Sequence, residues 1–409
     1  AFVGAALIYP TAFETITRGK SLGKYAMGLR TVREDGGPIS FDHAYMRALV
    51  GVVEIWVTSA VPALVLLCAR YEPRARPQML AAGLTCPTWQ IRMHPSGDRA
   101  VFDLSVLRDD TDYPYRLQCE QSKYCEFVLA AAQALPNVVV AFSSPVTGVT
   151  QKADAATVRV AAEDDERDVT ADYVIGCDGA HSAVRKALGI ELSGDIYPET
   201  TILATTYFPF HERLEGLSNV SYCWKPGGTF SLLRLPDVWR VSLYPRQGQM
   251  VEQALEPGMQ QELLHEIVPD TGRIDVLQTR PYRIHRRLAS SYGHGRVFLA
   301  GDAAHLNSPS GGMGMNGGIH DAINLTERLA EVWHGRKSGS ELDRFDKQRR
   351  LVTKEYVEKQ SIQNKKNLET PDPDFRDQLA QIGADREKTR NFLLTVSMIN
   401  SLKRAEQLG

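Results

Sequence analysis

The segment that most constrains the fold lies at residues 297–316 and reads VFLAGDAAHLNSPSGGMGMN. Its run from Phe298 to Ala300 has no polar face, which predicts a central strand of a parallel sheet. Asp302 follows at the place where open α/β sheets bind ligands, beyond the carboxyl end of a strand. A carboxylate at that place accepts hydrogen bonds from a polyol chain. The segment therefore predicts a ligand site at a strand end.

Five glycines follow between residues 311 and 318, and they predict a loop whose backbone reaches conformations that other residues avoid. Their N–H groups, with a helix start behind them, favour a phosphate or a developing negative charge. The G-x-G-x-x-G spacing at residues 312–317 is discounted, because a dinucleotide fingerprint should follow a strand directly. A tightly packed turn without a ligand is the alternative. Gly301 and Asp302 just before the loop favour a flat cofactor that carries phosphate.

A second turn of the same kind lies at residues 172–185, which read DYVIGCDGAHSAVR. A buried strand is predicted to end at Asp178-Gly179, and Ser182 is placed to cap the helix that follows. Arg185 lies one turn into that helix. The alternative is a capped strand-to-helix turn that binds nothing. The presence of a similar carboxylate at Asp302 favours a ligand site.

From about residue 79 to its end the chain resembles the class A FAD-dependent aromatic monooxygenases of the para-hydroxybenzoate hydroxylase type. In that resemblance Asp178-Gly179 matches the motif shared between flavin and nicotinamide binding. Gly301-Asp302 matches the second flavin motif, in which the aspartate binds the ribityl chain. The resemblance thus assigns both turns to one FAD site.

The resemblance also implies contacts to the flavin ring. The loop against the isoalloxazine ring is matched by Pro309, Gly314, Met315 and Asn316. Gln121 corresponds to a flavin-contacting glutamine on the helix predicted near Gln118–Ala134. No catalytic side chain is assigned, and no metal site is predicted. The histidines, including His305, are expected to be structural, with a place near the flavin as the alternative for His305, because it follows the Asp302 motif.

The activity implied by the resemblance is hydroxylation of a small aromatic substrate. NADPH or NADH reduces the flavin, and O2 then forms a C4a-hydroperoxide that transfers one oxygen atom. The net charge of −2 gives no reason to expect a nucleic-acid partner. A flavin-dependent reductase on the same fold ranks lower. The main alternative is a non-catalytic, membrane-associated fusion or remnant that has lost FAD binding.

The amino-terminal part supports that alternative. Residues 1–70 resemble the RDD family of small membrane proteins, with matches that include Gly23-Lys24, Asp35-Gly36-Gly37-Pro38 and Glu54. Residues 48–69 are apolar and long enough to span a bilayer, although a buried helix is the alternative. The G-x-G-x-x-G turn that cradles the FAD pyrophosphate is missing from residues 1–80. We therefore expect a fragment or fusion with weak or absent FAD binding.

These observations predict an α/β fold with a Rossmann-like FAD/NAD(P)-binding domain that lacks its first βαβ unit. A mixed β-sheet substrate domain is inserted in it, a helical region follows, and hydrophobic helices precede it. The expected division is an RDD-like membrane segment at 1–70, a linker at 71–78, FAD-binding parts at 79–196 and 291–335, the β-rich substrate domain at 197–290 and C-terminal helices at 336–409. The flavoprotein part is expected in the cytoplasm, because its cysteines show no paired pattern.

Several elements can be predicted individually. Apolar spacing predicts a helix with Cys125, Val128, Leu129 and Ala132 on its buried face. Residues 138–142 are predicted to form a short strand. Strand-rich runs between 200 and 290 are separated by Pro226-Gly227-Gly228 and Pro236-Asp237, which predict hairpins. A helix is predicted from residue 319, and its buried stripe is expected to contain Ile319, Ala322, Ile323, Leu329, Ala330 and Trp333.

Overall fold

The computed structural model describes residues 75–161, 166–246, 248–307, 313–358 and 373–408. All of them lie in one unit that spans Pro62–Gly409. The segment predicted to enter a membrane, including residues 48–69, lies outside the described residues. Within the described part of the chain, no helix combines the length and the apolar character that a bilayer crossing needs.

The described residues alternate between strands and helices through most of their length. The strands are β1 Leu84–Cys86, β2 Thr88–Met93, β3 Arg99–Asp103, β4 Arg116–Gln118, β5 Val146–Gln151, β6 Ala156–Ala161, β7 Glu166–Ala171, β8 Val174–Gly176, β9 Leu192–Thr206, β10 Val220–Lys225, β11 Gly228–Arg234, β12 Trp239–Leu243, β13 Val276–Ala289, β14 Gly293–His294, β15 Val297–Leu299 and β16 His305–Leu306. The α-helices are α1 Ala75–Ala82, α2 Gln121–Gln133, α3 Ala183–Ala187, α4 Phe210–Arg213, α5 Val251–Ala254, α6 Pro257–His265, α7 Met313–Trp333, α8 Asp343–Val352, α9 Pro373–Ala384, α10 Arg386–Val396 and α11 Ile399–Gln407. Short 3-10 turns occupy Leu104–Leu107, Gly301–Ala303 and Gly339–Leu342, and Thr353–Glu358 is π-helical.

The largest sheet has the strand order β16-β13-β9-β12-β11-β10-β2-β3. Its hairpins β10–β11 and β11–β12 turn where proline and glycine were expected to end the strands, so the predicted hairpins are confirmed. Gly227 occupies the first of these turns at a φ of +79°, which favours glycine. Strands β2 and β3 join this sheet from outside the range 197–290, and β10 pairs with β2 in parallel.

One face of this sheet is covered by an apolar core. Side chains that alternate along β9, β11 and β12 point to this face and meet residues of α5 and α6. The fully buried members include Ile202, Leu232, Val241 and Leu264. Helices α9 and α10 pack against β2 and β3 through a second core that contains Phe102 and Leu393. The two cores lie on opposite faces of the sheet, since Cys223 of β10 joins the first and Trp224, the next residue, joins the second.

A smaller sheet with the order β14-β15-β8 carries the two carboxylate turns. Strand β15 is completely buried and lies between its neighbours, as its lack of a polar face predicts. It pairs in parallel with β8, but antiparallel with β14, so the expected purely parallel surroundings are wrong. The N–H of Ala300 continues the parallel ladder by donating to the carbonyl of Gly176 at 3.0 Å.

Two sequence predictions fail in instructive ways. Residues 138–142 form no strand, because they find no partner strand among the described residues and Val139 is 92% exposed. Helix α7 begins at Met313 rather than at residue 319, so it takes in glycines that were expected in a loop. Its buried stripe is shifted as well, since Ile323 is 37% and Trp333 63% exposed. By contrast, α2 buries the four residues that its apolar spacing predicts.

Gly176 at the end of β8 is tightly enclosed, and its replacement tests the packing beneath the two turns. A Cβ there would lie 2.8 Å from Val184 Cβ and 2.9 Å from Leu299 Cδ2. We expect Gly176→Ala to lower the free energy of unfolding by about 1–3 kcal/mol, measured by urea denaturation. Gly258→Ala is the control, because a Cβ at Gly258 in α6 meets nothing within 4 Å. Equal stability of the two variants would contradict the packing described here.

Candidate functional site

The two carboxylate turns lie side by side at one edge of the smaller sheet. Because β8 and β15 are parallel neighbours, with Gly176 paired to Leu299, their carboxyl ends reach the same edge. Asp178 follows one strand and Asp302 follows the other. This edge is where open α/β sheets bind their ligands.

The turn that carries Asp302 presents its carboxylate outward. Gly301 adopts a φ of +61°, which favours glycine, and the turn Gly301–Ala303 is 3-10 helical. Asp302 is exposed and makes no hydrogen bond or ion pair with another described residue. Its pKa is nevertheless raised, chiefly because surrounding protein atoms displace water, while His305 opposes and Asp321 adds to the shift. The carboxylate is thus open on one side and crowded on the others.

The carboxylate of Asp178, in contrast, is already satisfied by its own turn. Its Oδ1 accepts from the Ser182 hydroxyl at 2.5 Å. Its Oδ2 accepts from the N–H groups of Ala183 and Val184 at 2.7 and 3.1 Å. Gly179 adopts a φ of +77°, so the turn requires glycine there. These contacts are those of the capped strand-to-helix turn that the sequence left open as an alternative.

Arg185 joins the two turns. Its Nη1 donates to the Ala303 carbonyl and its Nη2 to the Ala180 carbonyl, each at 2.8 Å. The side chain is buried, and its backbone N–H donates to the Ser182 hydroxyl as the predicted cap requires. The spacing in the sequence identified the helix and its cap, but it did not indicate this link between distant segments.

The residues expected against the flavin ring fall in different surroundings. Gly314, Met315 and Asn316 form the first turn of α7, and Met315 is exposed. Pro309 lies outside the described residues. Gln121 is the exposed first residue of α2. The residue before it, Glu120, holds this helix start against the large sheet through an ion pair with Arg240 in β12 at 3.3 Å.

A buried ionic cluster lies directly behind the Asp302 turn. The Oδ2 atom of Asp321 accepts from the Gly301 N–H at 3.0 Å and from His305 Nε2 at 2.7 Å. Its Oδ1 atom accepts from Arg349 Nε at 2.7 Å. Asp321, His305 and Arg349 are each no more than 1% exposed. We call these three residues the Asp321 cluster.

Neighbouring groups complete the surroundings of the Asp321 cluster. The Asn307 amide contacts His305 Nδ1 at 2.8 Å, which leaves Nε2 to donate to Asp321. The Tyr292 ring stacks on His305 with centroids 5.9 Å apart. The sequence predicted His305 to be structural, and the structure places it in a buried pair with Asp321. It did not single out Asp321 or Arg349, although Asp321 lies on the buried stripe of α7. No group of residues suited to a metal ion occurs among the described residues.

The Asp321 cluster makes the free energy of unfolding depend on pH in the acidic range. Burial raises the pKa of Asp321, but the charges and hydrogen bonds of His305 and Arg349 outweigh that effect and lower the pKa from 3.8 to about 2. Because the folded pKa lies below the unfolded one, the ionised carboxylate stabilises fully above about pH 4 and loses this effect as the pH falls toward 2.

We therefore expect the difference in free energy of unfolding between the natural chain and Asp321→Asn to shrink as the pH is lowered from 6 through 3. Urea denaturation at each pH measures it. Asp237→Asn, in an exposed turn, serves as the control and should differ little from the natural chain at any pH. A difference for Asp321→Asn that does not change with pH would contradict the ionised state of this carboxyl.

Comparison with known proteins agrees with this geometry. A family model described as "FAD binding domain" matches residues 55–360, and one described as "RDD family" matches residues 1–74. The 6-hydroxy-3-succinoylpyridine 3-monooxygenase HspB of Pseudomonas putida is 31% identical over 320 residues, which cover 77% of this chain and 81% of that protein.

Two further relatives act on a nitrophenol according to their names. The para-nitrophenol 4-monooxygenase of a Pseudomonas species is 31% identical over 333 residues, covering 79% of this chain and 81% of that protein. The crystal structure of p-nitrophenol 4-monooxygenase PnpA from Pseudomonas putida aligns with a TM-score of 0.73 and 26% identity, covering 84% of this chain and 94% of that one. The chain therefore belongs to the class A FAD-dependent aromatic hydroxylases and carries an RDD-family segment at its amino-terminal end.

Proposed function

We propose that this protein is an FAD-dependent monooxygenase that hydroxylates a small aromatic compound, with NADPH or NADH as the reductant and O2 as the oxidant. The observation that carries the proposal is the exposed carboxylate of Asp302, which lies beyond the end of β15 and has no partner among the described residues. In the reaction one oxygen atom enters the ring as a hydroxyl group. The other leaves as water, with the electrons of the nicotinamide and a proton.

The residues present fit the ribityl and ring half of a flavin. Asp302 is free to accept hydrogen bonds from ribityl hydroxyls. The first turn of α7, with Gly314, Met315 and Asn316, offers a helix amino terminus, which favours negative charge on a bound group. Gly314 has nothing within 4 Å of where a Cβ would lie, so a flat ring has room to approach it. The bound flavin would supply hydride acceptance and oxygen activation, while the protein binds and orients it.

Asp178 and Gln121 act differently in this proposal. The Asp178 carboxylate is engaged by three donors of its own turn, so it shapes the site with Gly179 rather than gripping a ligand with free oxygens. Gln121 is exposed at the start of α2 and is available to contact the flavin. Both assignments follow from the family resemblance and the surroundings of the two side chains.

The composition of the second face of the large sheet supports the proposal that the substrate is aromatic. Residues paired in register point to the same face, and one row across four strands contains Tyr222, Ser231, Ser242 and Leu203. This row lies opposite the apolar core of α5 and α6. Three of its members bring hydroxyl groups, and Tyr222 and Ser242 are only half-buried. At Tyr222 the row borders the apolar core that α9 and α10 cover, so this face combines hydroxyl groups with an apolar edge, which suits a phenolic ligand.

Among the aromatic residues of this sheet, Tyr222 is the best substrate contact. Trp224 and Trp239 are buried in the two apolar cores, so they pack rather than bind. The Tyr222 hydroxyl accepts from Arg116 Nη2 at 3.3 Å, and the Arg116 guanidinium lies 5.8 Å from the Tyr222 ring centroid and 6.0 Å from that of Trp89. A half-buried cation beside a phenol gives this face a preference for a phenolate-like or anionic aromatic compound.

The flavin part of the proposal is tested by titrating the purified full chain with riboflavin, FMN and FAD, followed by flavin fluorescence and visible absorption. We expect all three to bind with similar affinity, because the described site serves the ring and ribityl chain that they share. Asp302→Asn should weaken each by about tenfold to a hundredfold, since charge-assisted hydrogen bonds are worth about 1.5–3 kcal/mol. Asp237→Asn, an exposed carboxylate in a turn of the large sheet, is the control and should bind as the natural chain does.

Other outcomes of the titration separate the alternatives. Much tighter binding of FAD than of riboflavin would reveal a pyrophosphate site in the chain and strengthen the enzymatic assignment. No binding of any flavin would overturn the proposal in favour of a non-catalytic remnant. For chain that binds, NADPH or NADH oxidation that depends on a phenol, with 18O from O2 in the product, tests the reaction itself.

The substrate part is tested by Tyr222→Phe, which removes one hydroxyl beside Arg116. We expect KM for a phenolic substrate to rise about fivefold, in line with the loss of a hydrogen bond worth about 1 kcal/mol. The flavin spectrum should not change. Tyr207→Phe, at an exposed position just after β9, is the matched control. An unchanged KM in Tyr222→Phe would remove this face from the substrate site.

A further inference from the structure

We infer that Asp321, with Arg349 as its counter-charge, is a positioning residue that holds both ends of segment 301–317 in place for the coenzyme. Neither side chain needs to touch the coenzyme for this role. The inference goes beyond the proposed function, because it gives helix α8, the first α-helix after α7, a role in shaping the site. It rests on the proposed function only where the segment's ligand is concerned.

The start of the segment is fixed by one oxygen of Asp321. Its Oδ2 atom accepts from the Gly301 N–H at 3.0 Å, immediately before the exposed Asp302. The same oxygen accepts from His305 Nε2 at 2.7 Å, two residues beyond the 3-10 turn. Through the contact between Asn307 and His305 Nδ1, the anchoring continues to the last described residue before position 308.

The end of the segment is fixed through the other oxygen. Arg349 donates from Nε to Asp321 Oδ1 at 2.7 Å and from Nη2 to the Gly317 carbonyl at 3.4 Å. Arg349 comes from α8, so this helix reaches the first turns of α7 through one side chain. The first turn of α7, with Gly314 to Asn316, is thereby tied to the same carboxylate as the Asp302 turn.

Two glycines allow the helix to lie this close. A Cβ at Gly318 would lie 3.2 Å from the Gly301 Cα, and one at Gly317 would lie 3.2 Å from His305 Cε1. Their φ values are ordinary, so these glycines are needed for close approach rather than for a turn. Gly317 and Gly318, which were part of the glycine pattern that predicted a loop, thus belong to a contact between α7 and the Asp302 turn.

The energetics of buried ion pairs favour positioning over stability. Removing ions from water is costly, so a buried pair often adds little net stability compared with apolar residues of similar volume. Asp321 and Arg349 are almost completely buried, with side-chain exposures of 0% and 1%. What such a pair does supply is directional hydrogen bonds with fixed geometry. A pair that mattered only for stability could be replaced by apolar residues without affecting the turn.

That contrast defines the experiment. The double variant Asp321→Leu/Arg349→Met removes both charges from the full chain, and amide hydrogen exchange is followed by mass spectrometry without any flavin. We expect peptides from 299–307 and 313–318 to exchange about tenfold faster or more, while peptides from strands β10 to β12 keep their rates. Riboflavin affinity should fall by about tenfold or more, because the carboxylate of Asp302 is no longer held at the site.

A second ion pair on the same helix provides the matched control. Arg328 of α7 pairs with Glu341, and their side chains are 14% and 12% exposed, so this pair is mostly but not completely buried. Arg328→Met/Glu341→Leu should leave exchange in 299–307 and riboflavin affinity unchanged. If both double variants change the turn alike, or if exchange rises equally throughout the chain, the role of Asp321 is general stability and the inference is wrong. Unchanged exchange in 299–307 and 313–318 would also overturn it.

Arg349→Lys keeps the test decisive if the double variant does not fold. It retains the counter-charge but removes the fork that reaches the Gly317 carbonyl. We expect faster exchange at 313–318 with 299–307 unchanged, and no change in either would contradict the inference.

Because exchange is measured without flavin, the two proposals fail separately. Altered exchange without flavin binding in the natural chain sinks only the proposed function, while normal exchange with flavin binding sinks only the role of Asp321.

Discussion

A single buried carboxylate organises the most informative part of this protein. Asp321 takes hydrogen bonds from the Gly301 N–H, from His305 and from Arg349, which belong to a strand-end turn, to β16 and to α8. A charge without water around it requires such partners, since an unpaired buried ion is very costly. Its field reaches further, because it contributes to raising the pKa values of Asp302, Tyr292 and Cys177. The turn that carries the exposed Asp302 therefore packs directly on a buried cluster of charged residues.

The two aspartates at the edge of the smaller sheet have different hydrogen-bond partners despite their similar positions. Both carboxylate oxygens of Asp178 accept hydrogen bonds at the start of α3. Arg185 links that turn to the Asp302 turn by donating to the carbonyl of Ala303. Asp302 keeps its oxygens free of other described residues. The carboxylate of one turn is thus bonded within its own turn, and the carboxylate of the other is open to solvent on one side. The two faces of the large sheet also differ, because the α5 and α6 core covers one face and the hydroxyl-bearing row at Tyr222 lies on the other.

Local patterns in the sequence were sufficient wherever a segment's neighbours are close along the chain. Periodicity gave α2 with its buried residues, and proline and glycine gave the hairpins of the large sheet. The pattern failed at residues 138–142, where an apolar run finds no strand to pair with in the described part of the chain. It also failed at the start of α7, because Gly317 and Gly318 were taken as signs of a loop although they allow close packing within a helix. Asp321 and Arg349 lie 28 residues apart along the chain. A charged residue in a helix is usually exposed to solvent, so the sequence did not predict that either of them is buried. Only the folded structure brings them together.

We propose that the ends of β8 and β15, together with the first turn of α7, hold the ribityl chain and ring of a flavin. A crystal structure of the full chain grown with riboflavin tests it most directly. The account predicts ribityl hydroxyls within hydrogen-bond distance of the Asp302 carboxylate and the ring against residues 313–316. Riboflavin bound elsewhere, or an Asp302 carboxylate that faces only solvent in a crystal where the ligand is bound, would contradict it.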